Sequence, residues 1–185
     1  SKDLLQALHL LTREGELNQD ARRKLKQVEH LLGFFKPALE KLRQKETPLH
    51  FCDLGSGKSY LGFLLYEAFL KDWPTTTLYS VEQRQELVKT CEALAKDKGF
   101  SKMKFLSASI AEASEKLPRE LDFLVALHAC DTATDEAIQL AISKESQFVF
   151  VVPCCQAECA RELEKLQLSS IASLKSLWRE PLHAR

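Results

Sequence analysis

No net charge, no membrane-length apolar run, no repeat and no cysteine framework mark this chain, and each absence removes a class of function. Basic and acidic side chains balance at 26 each. Broad electrostatic capture of nucleic acid is therefore not expected, which leaves only a local basic patch for that purpose. No apolar stretch is long enough to cross a bilayer and no signal peptide is visible, so no membrane partner is expected. The six cysteines lack the spacing of a small disulfide scaffold, and Cys154 and Cys155 are adjacent. A reduced, cytoplasmic compartment suits them better. Ser1 in place of a starting methionine reads as a processed or excised start. What remains is 185 residues, 45% hydrophobic and 28% charged, enough for one globular domain with a real core and a small appendage.

The most informative stretch is Phe51-Cys52-Asp53-Leu54-Gly55-Ser56-Gly57-Lys58-Ser59-Tyr60-Leu61. An apolar run reaches an acid, two glycines follow one residue apart, and a helix-like apolar segment starts. That order reads as strand, tight turn and helix, the opening unit of a nucleotide-binding α/β sheet. The turn needs glycine for unusual φ and close ligand approach. The helix N-terminus offers free N–H groups and partial positive charge. Spacing separates the ligand classes. A P-loop ending at Gly57-Lys58-Ser59 would need glycine where Cys52 stands. A dinucleotide fingerprint would need its third glycine where Tyr60 stands, too large for close helix–strand packing. The pattern acid-x-Gly-x-Gly of S-adenosylmethionine (SAM) sites fits Asp53 to Gly57, with Ser59 in place of the usual third glycine. An ordinary strand–helix turn without a ligand is the plain alternative.

Residues 1–47 read as a helical N-terminal appendage. Leu4, Leu5, Leu8 and Leu11 form a first stripe ended by Gly15, and Asn18 is the N-cap of a second helix. That helix has Leu25, Val28, Leu31 and Leu32 inward, with Arg22, Arg23, Lys26 and His30 on the other side. A third helix runs from about Phe34 to Lys45, with Pro37 tolerated in its first turn. The basic stripe is a solvated face or a phosphate-backbone contact. After Thr47-Pro48, residues 48–185 alternate strand and helix. Strands are expected at Leu49–Asp53, Thr77–Val81, Lys104–Ser107, Leu121–Leu127 and Phe148–Val152. Helices are expected at about Ser59–Lys71, Arg84–Lys98, Ala111–Lys116, Thr134–Ser143 and Gln156–Leu166. The alternation implies a doubly wound, parallel, Rossmann-like sheet with ligands outside the carboxyl ends of its strands. Those ends carry Asp53 to Gly57, Glu82, Ser109, His128 to Asp131, and Pro153 to Cys155.

Motif and order together resemble the class I SAM-dependent methyltransferases over about Leu49 to Leu166. The stretch Ala126-Leu127-His128-Ala129-Cys130-Asp131 and the triplet Pro153-Cys154-Cys155 resemble one branch. It holds methyltransferase-like proteins, grouped with a glutathione S-transferase C-terminal domain-containing protein, and bacterial relatives. The resemblance implies SAM as cofactor. It implies a turn of Gly55, Ser56, Gly57 and Ser59 packed under the methionine part of SAM, with Asp53 as the acid that opens the motif and orders that turn. It implies Glu82 at both ribose hydroxyls and Gln83 as a further cofactor-binding residue. It places Ser109 and Ile110 beside the adenine, and His128 at the cofactor's acceptor side. A carboxylate suits two ribose hydroxyls because it accepts several hydrogen bonds. RNA or a translation-related macromolecule, protein included, is the implied acceptor. The family ends its sheet with an antiparallel hairpin. Only Gln167 to Arg185 follow Leu166 here, so those strands are expected to be missing, with an inactive protein as one consequence.

Methyl transfer from a sulfonium is an in-line displacement whose leaving group becomes neutral. Alignment is then the main resource, worth about 7 kcal/mol or more in favourable cases. His128 is a candidate proton acceptor, with Asp131 to orient it or hold the acceptor; alternatively His128 only caps its strand. Cys130, with Cys154, sits where RNA 5-methylcytosine enzymes carry cysteines, and a nucleophilic thiolate would need a neighbour such as His128. His128, Cys130, Cys154, Cys155 and Cys159 also permit a zinc site, at spacings that match no standard module. Small buried packing residues are the preferred reading of the cysteines. A rival to the enzyme is a non-catalytic SAM-fold module that holds RNA or protein.

Overall fold

The computed structural model describes residues 1–12, 14–17, 19–127, 129 and 132–152. Two helices, α1 (Lys2–Ala7) and α2 (Gln19–Leu42), precede the alternating part. Then follow β1 (Leu49–Leu54), α3 (Tyr60–Leu65) with a π-helical turn at Tyr66–Leu70, β2 (Thr76–Glu82), α4 (Gln85–Asp97) and β3 (Met103–Ser107). The chain continues through α5 (Ile110–Lys116), β4 (Phe123–Leu127), α6 (Thr132–Ser143) and β5 (Phe148–Val152). Among the described residues the strands form one sheet in the order β3-β2-β1-β4-β5, every pair parallel. The order reverses between β1 and β4, which opens a crevice at their carboxyl ends. This is the doubly wound fold that the alternation implies. The expected helix over Gln156–Leu166 and the question of further strands lie outside the described residues.

Each face of the sheet has its own core, because side chains alternate along a strand. Leu49, Phe51, Leu78, Phe123 and Val125 pack with α2, α3 and α4. Cys52, Leu54, Tyr79, Val81, Leu124 and Ala126 pack with α5 and α6. Asp53 shares the first face with Phe51, so its carboxyl is directed under α3 and α2.

The N-terminal segment differs from the three-helix expectation. The first helix stops at Ala7, because His9 turns the chain in left-handed backbone (φ 56°). That turn brings Leu10 into the core in place of Leu11. The second and third expected helices are one continuous α2, with Pro37 inside it. A proline ring in a helix presses on the carbonyl four residues back, at a cost of about 3 kcal/mol. Here that residue is Gly33, and a side chain there would meet nothing. Burial of Phe35, Ala38, Leu39 and Leu42 offsets the cost at about 1.5–3 kcal/mol for each large side chain. The N-cap expected at Asn18 lies outside the described residues. Phe35 is fully buried and meets Phe123 edge-on at 5.1 Å and Phe150 at 4.6 Å. The Lys45 ammonium pairs with Asp122 at 2.7 Å.

Candidate functional site

The carboxyl ends of β1 and β2 are stitched together by the glycine turn. Gly55 and Gly57 take positive φ, 63° and 56°, which glycine adopts without a Cβ penalty. The Ser56 N–H donates to the Val81 carbonyl at 3.0 Å, and the Gly57 N–H donates to Glu82 Oε2 at 2.8 Å. A side chain on Gly55 would point into open space, so the missing Cβ leaves room over the turn.

Beneath the turn lies a polar cluster that carries its geometry. Ser59 is left-handed as well (φ 51°), an uncommon state for a residue with a Cβ. Its hydroxyl is fully buried and shares a hydrogen bond with Ser80 at 2.9 Å. Ser59 therefore supports the turn from below and does not face its open side. Gly62 fits over this pair because a Cβ there would sit 2.4 Å from Ser59 Oγ, 3.2 Å from Ser80 Oγ and 3.4 Å from Asp53 Oδ2. Asp53 is buried, and its Oδ2 has no hydrogen-bond partner among the described residues. Burial pushes its carboxyl up to about 7, against a smaller opposing pull from the Gly62 N–H.

Glu82 lies at the tip of β2. Burial alone would raise its carboxyl, but Arg84 and the Gly57 N–H hold it below the ordinary value. Oε1 accepts from the Arg84 backbone N–H at 3.0 Å and from Arg84 Nε at 2.9 Å. The Ala108 N–H donates to the Glu82 carbonyl at 3.2 Å, which sets the β3 end, with Ser109 and Ile110, beside Glu82. Ser109 caps α5 in a reciprocal box with Glu112. Gln83 is exposed on the same rim.

A cavity of about 210 Å³ opens beside the turn. Asp53, Gly55 and Ser56 form its floor, Leu127 at the end of β4 one wall, and Leu10, Val28 and Leu31 its roof. Turn, acid tip and cavity thus sit together at the switch point of the sheet. The sequence profile of a family described as "Methyltransferase domain" matches residues 23–162. The chain belongs to this methyltransferase-domain family.

Solved structures agree at the level of the fold. The chain superposes on a protein described as a sarcosine dimethylglycine methyltransferase from Galdieria sulphuraria with a TM-score of 0.53 and 16% identity, covering 72% of this chain and 44% of that one. It superposes on monomeric WbdD with a TM-score of 0.52 and 18% identity, covering 71% and 32%. The chain thus spans less than half the length of these proteins. No curated protein matches it.

The methyltransferase domain implies SAM, and this chain's residues fit it. The open face of Gly55 leaves space for a ligand against the backbone, Asp53 offers a buried carboxyl for a cation, and Glu82 presents a charged carboxylate at the rim, held there by the Gly57 and Arg84 N–H groups. Sequence reasoning missed three participants. Arg84, Ser80 and the roof of α2 belong to no motif; a basic residue two positions after the rim acid was the only signal for Arg84. The catalytic candidates His128, Cys130 and Asp131, and the zinc candidates Cys154, Cys155 and Cys159, lie outside the described residues. Cys52 and Cys91 are buried free thiols. Cys91 is pushed up to about 11 by burial first and by the Glu82 and Asp53 carboxylates next, so both behave as packing residues. Among the described residues no helix is long and apolar enough to cross a membrane.

Proposed function

We propose that this chain is a SAM-dependent methyltransferase acting on RNA or a translation-related macromolecule, in the branch marked by His-Ala-Cys and Pro-Cys-Cys. The observation that carries the cofactor reading is the Gly57 N–H to Glu82 bond, which fixes the ribose acid against the glycine turn. Glu82 would hold the ribose hydroxyls, Gly55 and Ser56 would pack against the methionine part, and Asp53 would face its positive charge. Bound there, SAM supplies an electrophilic methyl group on a sulfonium. The chain's own share is alignment and the exclusion of water by the apolar roof. His128 and Asp131 are proposed to manage the acceptor's proton, and Cys130 is a weaker candidate as nucleophile.

The macromolecular acceptor draws support from the outer face of α2. Arg22, Arg23, Lys26 and His30 are exposed there, and the His30 ring meets Phe34, itself 60% exposed, edge-on at 4.8 Å. Basic side chains with an aromatic between them suit phosphate contact and base stacking. The same face favours the second reading, a scaffold that binds RNA and takes up no cofactor. The cytoplasm is the proposed compartment, supported by the free buried thiols.

Calorimetry with S-adenosylhomocysteine should show binding that weakens about tenfold or more in Glu82→Ala, as expected for a lost hydrogen bond to a charged group, and disappears in Asp53→Ala. Labelled methyl transfer from SAM into separated RNA and protein fractions identifies the acceptor. RNA binding without any cofactor binding would overturn the enzyme in favour of the scaffold.

A further inference from the structure

The rim acid is already saturated by its own chain. An ionised carboxylate has about four acceptor positions, two on each oxygen. On Glu82, Oε1 takes the Arg84 backbone N–H at 3.0 Å and Arg84 Nε at 2.9 Å. Oε2 takes the Gly57 N–H at 2.8 Å and, at a longer 3.4 Å, Arg84 Nη2. Two of these four donors are backbone groups fixed by the turn and by the start of α4. The other two belong to one guanidinium, spread across both oxygens. Ribose also presents two hydroxyl donors. The guanidinium therefore stands where both would have to bond.

We propose that Arg84 is an internal competitor for the ribose, so that cofactor binding is an exchange of donors on Glu82. The proposal rests on the reading of Glu82 as the ribose acid and adds the group that has to leave. The exchange is stereochemically open. The Arg84 side chain is 61% exposed while that of Glu82 is 9% exposed, so the guanidinium can swing into water while the acid stays fixed. Its departure frees one position on each oxygen and keeps both backbone bonds. The guanidinium also lies close to the turn, with Nη2 3.8 Å from where a Cβ on Gly57 would be. Departure therefore clears the rim of the turn in the same movement. In the absence of ligand, Arg84 keeps the buried acid paired and charged, so the site need not reorganise its carboxylate on binding.

The test is calorimetric titration of S-adenosylhomocysteine into the wild-type protein, Arg84→Ala and Arg84→Gln, each checked for fold by circular dichroism. Removing the competitor should tighten binding about three- to tenfold, the range set by an exposed ion pair and a hydrogen bond to a charged group. Arg84→Lys, which loses the two-pronged contact, should fall between. The gain should appear for adenosine and vanish for the dideoxy analogue that lacks both ribose hydroxyls, a contrast that a general loosening of the rim would not produce. Wild-type binding that is unchanged or weakened in Arg84→Ala and Arg84→Gln overturns the competitor while leaving the ribose role of Glu82 in place. No binding by any of the folded proteins removes the ribose role and the competitor together.

Discussion

Asp53 is a carboxyl kept inside the protein with an oxygen unpaired among the described residues. Its folded value of about 7 lies above the value of about 3.9 expected for an unfolded chain. Between those values the native state holds a proton that the unfolded state has released. The stability Asp53 contributes is therefore complete below about pH 4 and is lost as pH rises through about 7. Denaturant titrations at pH 5, 6, 7 and 8 should show wild type losing stability relative to Asp53→Asn, by up to about 1.4 kcal/mol per pH unit. The loss should level off above the folded value. A difference that stays constant across the four pH values would show that Asp53 does not titrate in that window. The acid itself was legible in the sequence, because the motif names it. Its shifted titration was not, because that depends on Gly62 and α3 closing over it.

At the scale of the element, the turn from β1 to α3 works because Gly62 lets the helix settle on Ser59 and Ser80. Gly62→Ala would ordinarily favour a helix by about 1 kcal/mol. Here the new Cβ would lie 2.4 Å from Ser59 Oγ, a hydroxyl held in place by Ser80 and by left-handed backbone. Gly62→Ala should therefore destabilise the protein by about 1–3 kcal/mol, the usual cost of overpacking. In a Ser59→Gly background the clashing oxygen is gone and the left-handed φ suits the residue. A double-mutant cycle by urea denaturation should give a coupling of about 1 kcal/mol or more. Additive costs would mean that Gly62 is needed for some other contact. Strands and the two motif glycines were legible from apolar runs and spacing. Gly62 was not, since a single glycine inside an apolar helix usually signals nothing beyond weak propensity. Pro37 misled for a related reason: local rules place proline at a helix start, and the packing of Phe35, Ala38 and Leu39 overrode them.

Across the whole molecule, the doubly wound parallel sheet followed from alternation alone, but its strand order and the roofed cavity did not. The cavity's roof depends on where α2 docks, and that is decided by contacts far apart in sequence. Phe35 is the anchor. It lies on the rings of Phe123 and Phe150, two members of a stack borne by neighbouring strands in which Phe51 meets Phe123 at 5.2 Å and Phe123 meets Phe150 at 5.0 Å. Val28 and Leu31, which form the roof, belong to the same core as Phe51 of β1 and Phe123 of β4. Residues 1–47 and the sheet should therefore unfold together. Phe35→Ala removes the anchor and should cost about 3–5 kcal/mol, lowering the melting temperature by on the order of 10 °C. The helical and the aromatic circular dichroism signals should still be lost in one coincident transition. An early, separate loss of helical signal, with the aromatic signal of the sheet intact, would mean that α2 is an independent appendage and that the roof over the glycine turn can open without unfolding the domain.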